Sequence, residues 1–298
     1  MTLALVSKPG ASAPAIEEAT LPPPGPGDLR IRVTAASVDP VDILLAGGPG
    51  RAIFGLTGTV GLGMSLTGVV TGTGAAVSGF AVGDPVAALH PDVTSPVRAH
   101  AEETIVPASA AAPLPDGLDA VDAAALPVNA LTAARLVDRL GPAAGRALLV
   151  TGAAGAVGGY AVALAAHAGW TVTGLARESD REFVRRAGAR ELITELPERS
   201  FDAVLDGAVL HAAALRAIRD GGTFVGVPSA SPATTERGID VGIVSVEPDG
   251  ARLAELLALA GSGVLELRVA GRVPLTDAVA AYEKVAGGGQ RGRWLLVP

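Results

Sequence analysis

The chain has 298 residues, of which 49% are apolar and 18% charged, with a formal net charge of -7. That length suggests two domains, each able to bury a core, and the composition is that of a globular protein rather than a disordered one. The acidic balance argues against a nucleic-acid surface and supplies no basic run for a membrane. Cysteine is absent, which removes disulfides, thiolate catalysis and any Cys-rich zinc lobe. The histidines His90, His100, His167 and His211 are scattered, with no pair at metal-ligand helix spacing, so no metal site is expected. No basic stretch leads into an apolar segment at the N-terminus, and no apolar run of bilayer length is free of Gly, Pro or charge. A cytoplasmic location without membrane association is the expectation.

The first third is dense in Gly and Pro. Leu29, Ile31 and Val33 alternate with Arg30 and Arg32, the period of a half-buried strand. Residues 66–70 and 84–89 read as further strands, with Gly72, Gly74 and Gly79 supplying turns. Many short punctuated strands predict a small barrel-like β domain. The pattern changes near Asp116. Asp119 and Asp122 can cap a helix in which Ala123, Leu126, Ala130, Leu131 and Ala134 recur at helical spacing. Strand 147–150, helix 159–168, strand 170–175 and helix 180–187 follow, the helices ending at Gly169 and Gly188. Next come strand 203–205, helix 211–218, a turn at Gly221 and Gly222, and strand 223–227. Such alternation builds a parallel sheet through right-handed crossovers. A helix over 251–259 leads into a last strand, helix and strand ending at 294–297, which are expected to return to the β domain.

The most informative stretch runs from Ala147 through Thr151-Gly152-Ala153-Ala154-Gly155-Ala156-Val157-Gly158 to Val162. An apolar run ends in a glycine-rich turn, and an alanine-rich helix pattern follows at once. That order places a pyrophosphate at the positive end of a helix. Gly155 lets the backbone approach the phosphates and Gly158 lets helix and strand pack, while Ala153 takes the place of the first glycine of G-x-G-x-x-G.

Several motifs in register now carry a resemblance. The segment Ala35-Ala36-Ser37-Val38-Asp39-Pro40-Val41-Asp42 is similar to "AASVNPVD", and Val82-Gly83-Asp84-Pro85-Val86 to "VGDRV". The stretch from Gly63 to Gly68 with Val69 and Val70 resembles "GxDxAGxV", and Ala101-Glu102 the "AE" step. Leu114 to Leu118, Ala123 to Pro127 and Leu131 to Ala133 resemble "LPDGLS…AAALP…LTA", and Arg291-Gly292-Arg293-Trp294 resembles "RGKVV". The chain thereby resembles the zinc-free medium-chain dehydrogenase/reductase superfamily, close to its quinone oxidoreductase and enoyl reductase branch. The resemblance implies an α/β fold: a Rossmann-type doubly wound parallel sheet over 116–262, and a GroES-like β-barrel substrate domain over 1–115 and 263–298. It also implies a small-molecule substrate, a nicotinamide cofactor and a homodimer, to which only an edge strand near 242–246 points here.

No acid closes the strand about 20 residues past the turn; the first charge is Arg177, followed by Glu178 and Ser179. A guanidinium can bind the 2′-phosphate of NADP, with Ser179 adding a hydrogen bond, so NADP(H) is expected. The alternative is a solvated arginine beside Glu178. The full expected cofactor set is Thr132, Gly152, Ala153, Ala154, Gly155, Ala156, Val157, Gly158, Arg177, Ser179, Val225, Gly226, Val227 and Arg293. Asp206-Gly207-Ala208 matches the superfamily's "DxxG" turn.

Relatives often place a tyrosine donor in the substrate domain, but Tyr160 and Tyr282 match no such place. Asp39 stands where relatives have Asn, Ser65 where they have Asp, and Arg293 replaces a usual lysine. Asp39 is either a buried acid able to give a proton or a turn residue before Pro40. His90 and His100 are the other acids of that region, and His90 is carried forward with Asp39 as a catalytic candidate. The expected activity is hydride transfer from NADPH to a quinone or an activated C=C bond, with a biosynthetic intermediate as one substrate class. The alternative is a nucleotide-binding protein without reductase turnover, serving cyclisation, dehydration or binding.

Overall fold

The structure, a computed structural model, describes residues 1–11, 13–229 and 231–298, the side chains of residues 48 and 49 excepted. It divides into two compact units, the first made of Met1–Val128, Pro248–Gly261 and Leu267–Pro298. In this unit the strand Asp28–Val38 buries Leu29, Ile31 and Val33 and turns Arg30 and Arg32 outward, the alternation visible in the sequence. These residues pack with Leu66, Val70 and Val86 into one apolar cluster. The strand is the centre of a seven-stranded sheet whose spatial order is Val269–Pro274, Arg293–Val297, Asp28–Val38, Ser65–Thr73, Pro85–Leu89 and Ala111–Pro113, with Glu103–Pro107 also paired to Asp28–Val38. The C-terminal strand does return to the β unit, with Trp294 opposite Val38. A smaller sheet joins Ala15–Ala19, Thr2–Ser7 and Val60–Gly61.

The helix read from Asp119 onward is two pieces. Asp119 Oδ1 accepts the N–H groups of Val121 and Asp122, each at 2.9 Å, and a single tight turn spans Asp122–Ala125. The α-helix itself starts at Pro127 and runs Pro127–Arg139, because proline is at home in a first turn and nowhere later.

The second unit comprises Asn129–Glu247 and Ser262–Glu266. Its six-stranded sheet has the spatial order Glu191–Ile193, Thr171–Leu175, Ala147–Thr151, Phe201–Asp206, Ile218–Gly226 and Asp240–Ile243, and every pairing is parallel. Counted along the chain from the first strand of this unit, that is the order 3-2-1-4-5-6 of a doubly wound dinucleotide fold. Leu149, Val204, Phe224, Leu215 and Ile218 form the core on one face. Several boundaries differ from the sequence reading, and the helix expected over 211–218 is only Ala212–Leu215. The helix expected over 159–168 begins three residues earlier, as Ala156–His167, and the last long strand begins at Ile218 and runs through Gly221 and Gly222. Gly221 and Gly222 were read as a turn, but in the fold the strand continues through them, and a Cβ at Gly222 would lie 2.7 Å from the Asp202 carbonyl oxygen. Among the described residues no helix is long and apolar enough to cross a membrane.

A Cβ at Gly158 would lie 2.1 Å from the Gly152 carbonyl oxygen, which is backbone and cannot yield cheaply. Gly158→Ala is therefore expected to cost about 2 kcal/mol in a denaturant titration. Gly261→Ala, which meets nothing within 4 Å, is the control and should be neutral or slightly stabilising. Equal stabilities for the two variants would remove the packing argument.

Candidate active site

In the parallel sheet the register sets one row of residues side by side: Ile193, Leu175, Thr151, Asp206, Gly226 and Ile243. Everything just beyond that row leaves the carboxyl edge together. Gly152 to Gly158 follow Thr151, Arg177 and Ser179 follow Leu175, Gly207 follows Asp206, and Val227 follows Gly226. The carboxyl edge is where ligands of such sheets gather, since the strand ends diverge into loops there.

The turn is held from inside. Gly152 has φ +61°, Gly155 N–H donates to Gly152 O at 2.8 Å, and Ala153 N–H donates to Leu175 O at 3.2 Å. Ala153 and Ala154 are buried, whereas Gly152, Gly155, Ala156 and Val157 keep partial exposure. The helix Ala156–His167 starts here, so the N–H groups of Ala156, Val157 and Gly158 have no acceptor within the helix, the donors that a helix start offers to an anion. The methyl of Ala153, where a glycine is usual, fits because its strand neighbour is Gly174. A Cβ at Gly174 would come within 2.8 Å of it. Thr151 Oγ donates to Asp206 Oδ1 at 2.5 Å and accepts from Ala208 N–H, while Asp206 Oδ2 accepts His211 N–H. Asp206 therefore serves its own turn.

Arg177 is exposed and its guanidinium has no ion pair or hydrogen bond among the described residues. Its neighbour Glu178 is taken by Arg181 at 2.5 and 2.6 Å. Ser179 is exposed beside it, and Val225 and Gly226 are buried at the strand end with Val227 half-buried. Thr132 is buried on the helix Pro127–Arg139 and stands outside the row.

In the first unit Asp39 lies in a buried polar cluster with Ser37, Asp42 and Arg293. Asp39 is 3% exposed at its side chain, and its Oδ1 lies 2.7 Å from Arg293 Nε, while Oδ2 accepts Ser37 Oγ–H at 2.6 Å. Two departures noted separately in the sequence are thus one ion pair. They meet because Asp39 follows Val38 directly and Arg293 precedes Trp294, the pair that faces across adjoining strands. Asp42 accepts the N–H of Asp39 and of Gly63, at 2.9 and 3.0 Å. Burial pushes its carboxyl up, an effect opposed by the nearby His100 and Arg98. Ser65 Oγ accepts Val128 N–H at 2.9 Å and so satisfies a first-turn donor of the helix that follows.

Sequence reasoning missed how His100 is used. Its Nε2 lies 2.8 Å from the Ser37 carbonyl oxygen, which can only accept. In the neutral ring the proton is therefore on Nε2, Nδ1 accepts, and Tyr282 O–H donates to it at 2.9 Å. Burial lowers the imidazole's pKa and raises the phenol's, so both stay neutral. Nothing in the spacing of residues 100 and 282 announces this contact. His90 is buried with no partner on either ring nitrogen. Burial first, and Arg98 second, push its pKa down to about 3, so the ring is neutral at working pH and stores no imidazolium proton.

The model of the alcohol dehydrogenase GroES-like domain matches residues 25–116, and that of the zinc-binding dehydrogenase family matches 182–296. The chain belongs to the medium-chain dehydrogenase/reductase superfamily, in its quinone oxidoreductase and enoyl reductase branch. A polyketide synthase component of Streptomyces venezuelae is 33% identical over 285 residues, which are 85% of this chain and 7% of that protein. An NADPH-dependent alkenal/one oxidoreductase of Arabidopsis thaliana is 32% identical over 67% of this chain and 55% of its own length. The chain thus spans only part of these relatives, and as little as 7% of one. The quinone oxidoreductase of Coxiella burnetii has the same fold, with a TM-score of 0.88, 22% identity and coverage of 100% and 99% of the two chains.

The zinc of one family's name finds no donor set in this medium-chain dehydrogenase/reductase member. The sequence has no cysteine, and among the described residues no three His, Asp or Glu side chains converge.

Two measurements test the buried cluster. Asp39→Asn strips the counterion from Arg293, whose side chain is 15% exposed. It should cost about 3 kcal/mol in a denaturant titration, and the double variant with Arg293→Lys should lose less than the sum of the singles. Strict additivity would mean the pair contributes no mutual energy. The acid limb is the second test. Burial, with Arg98 second, pushes the His90 pKa from the ordinary imidazole value of 6.5 down to about 3. The ring's contribution is therefore complete above the ordinary value and drains as pH falls towards the folded pKa. The unfolding free energy should decline by up to about 1.4 kcal/mol per pH unit on its account. His90→Phe should flatten the slope between about pH 6 and 4; an unchanged slope would place the lost protons elsewhere.

Proposed function

We propose that this chain is an NADPH-dependent, zinc-independent oxidoreductase that reduces a quinone or an activated C=C bond. The observation that carries the reading is the shared carboxyl edge, where the glycine turn and an unpaired Arg177 stand one strand apart in register. The turn fits a dinucleotide because the carbonyl of Gly152 already occupies the space a side chain at Gly158 would need. First-turn amides of Ala156–His167 would hold the pyrophosphate, and Arg177 with Ser179 the 2′-phosphate. Val225, Gly226, Val227 and Thr132 are assigned to the nicotinamide side. When bound, NADPH supplies the hydride.

The protein's own residues answer for the charge that hydride addition to a conjugated acceptor pushes onto oxygen. Arg293, oriented by Asp39, is the cation of the first unit assigned to meet it, and the final proton comes from solvent. Asp39 lies against the Arg293 guanidinium and accepts the Ser37 hydroxyl, so it acts as a positioning residue. The NADPH-dependent relative supports the cofactor, and the polyketide synthase relative supports a polyketide-like intermediate as the natural acceptor. The edge strand Asp240–Ile243, with Ile243 exposed, is the surface on which we place a homodimer contact.

Arg177→Ala is expected to weaken NADPH at least about tenfold and leave NADH unchanged. Fluorescence titration of each nucleotide measures this, and equal losses would remove the phosphate role. Metal-stripped protein should consume NADPH with small quinones or enones. Tight NADPH binding with no turnover on both acceptor classes would instead favour a nucleotide-binding protein that has lost reduction.

A further inference from the structure

Between the strand Thr171–Leu175 and the helix Arg181–Arg186 the chain reads Ala176, Arg177, Glu178, Ser179 and Asp180. Asp180 is buried, so Glu178 is the acid of this segment that meets solvent. It follows the strand end about 20 residues past the glycine turn, where an acid on such a fold accepts the 2′-hydroxyl of the adenosine ribose. A free carboxylate here would favour NADH twice over, by binding that hydroxyl and by repelling a 2′-phosphate.

Glu178 is not free. Glu178–Asp180 form one 3₁₀ turn, in which side chains three apart eclipse, so Arg181 stands over Glu178. Arg181 Nε donates to Oε1 at 2.5 Å and Nη2 to Oε2 at 2.6 Å, which engages both carboxylate oxygens. A two-pronged contact of this kind fixes direction as well as charge. The same guanidinium lowers the pKa of Glu178, so the acid stays ionised and stays bonded. Arg177, adjacent in sequence, keeps no ion pair or hydrogen bond among the described residues. The two side chains of the pair are 44% and 65% exposed, so it adds little to stability, and its effect is to be sought in binding.

We infer that Arg181 determines coenzyme choice: by holding the Glu178 carboxylate it leaves Arg177 open to a 2′-phosphate and denies a 2′-hydroxyl its acceptor. Arg181 acts through Glu178 and is a positioning residue. With Arg181 in place the three side chains carry one net positive charge, and without it they carry none. The inference rests on the NADPH reading above, and its test separates the two.

The full-length protein, Arg181→Ala, Glu178→Gln and the double variant would each be titrated with NADPH and with NADH at low, fixed salt, read by nucleotide fluorescence. Arg181→Ala is expected to weaken NADPH about fivefold and to tighten NADH about threefold. Glu178→Gln alone should not weaken NADPH. The double variant should bind NADPH within about twofold of the unaltered protein and lose the gain for NADH. A direct contact between Arg181 and phosphate would produce neither the tighter NADH nor the recovery. Glu191 also faces Arg181, and recovery through Glu178→Gln assigns the effect to Glu178. Thermal melts of all four proteins should agree within about 2 °C. Unchanged NADH binding in Arg181→Ala, or a double variant as weak for NADPH as the single, would overturn the inference alone. An unaltered protein that binds neither nucleotide would remove the coenzyme reading and this inference with it.

Discussion

The second unit depends on one contact that exists only because a side chain is missing. The helix Ala156–His167 approaches the end of Ala147–Thr151 so closely that Gly158 faces the carbonyl of Gly152, with no room for a methyl group between them. This approach fixes where the helix begins and therefore where its unpaired amides aim. It also sets the positive φ at Gly152, which turns the chain out of the sheet. The neighbouring turn respects the same limit, because a Cβ at Gly207 would lie 2.9 Å from the Thr151 carbonyl oxygen. A parallel sheet then does the rest. Its register carries Leu175, Asp206 and Gly226 to the level of Thr151, and the loops that follow share one edge.

The first unit is organised by charge taken out of water. Asp39, Asp42 and His100 are all buried, and such groups are tolerated where neighbours answer them. Arg293 and Ser37 answer Asp39, backbone amides answer Asp42, and a carbonyl with a phenol answers His100. Each contact ties one segment of the chain to another far away in sequence. The His100–Tyr282 bond joins the β core to the helix Ala278–Ala286, and Asp42 fixes the turn at Gly63 to the helix Pro40–Ala46. A polar cluster of this kind adds geometric specificity to a core built largely from alanine, valine and leucine, whose packing alone discriminates less.

The fold class was legible because periodicity is a local property. Alternation over 29–33 and the strand–glycine–helix order at 147–162 are each contained within one element, and both were read correctly. Boundaries at glycines were not. Gly221 and Gly222 read as a turn on propensity, yet the strand runs through them, with an irregular register against Phe201–Asp206. The Asp119 helix was read as continuous because apolar spacing runs through Pro127 without interruption, and only proline geometry splits it. Within the candidate site, the glycine turn and Arg177 could be named from sequence since both are set by strand order. The pairing of Asp39 with Arg293, and the room that Gly174 makes for Ala153, depend on contacts between separate strands. A single sequence has no signal for either.

That pairing changes how the departures at Asp39 and Arg293 should be judged. Taken alone, a carboxylate in place of the relatives' asparagine adds a negative charge to a buried site. Taken together, an asparagine with a lysine carries one net positive charge, whereas Asp39 with Arg293 carries none. The local field is weaker by one charge, yet it is more directed. Arg293 spends Nε on Asp39 Oδ1, and a planar guanidinium held at one edge has its remaining N–H directions fixed by that contact. A lysine beside a neutral amide has no such constraint and keeps three freely rotating donors. The substitution therefore exchanges net charge for orientation, and orientation counts most where water is excluded and a donor need not reorganise. Only a guanidinium can hold the carboxylate and still present a second edge, so the two residues make sense as a unit and neither does singly.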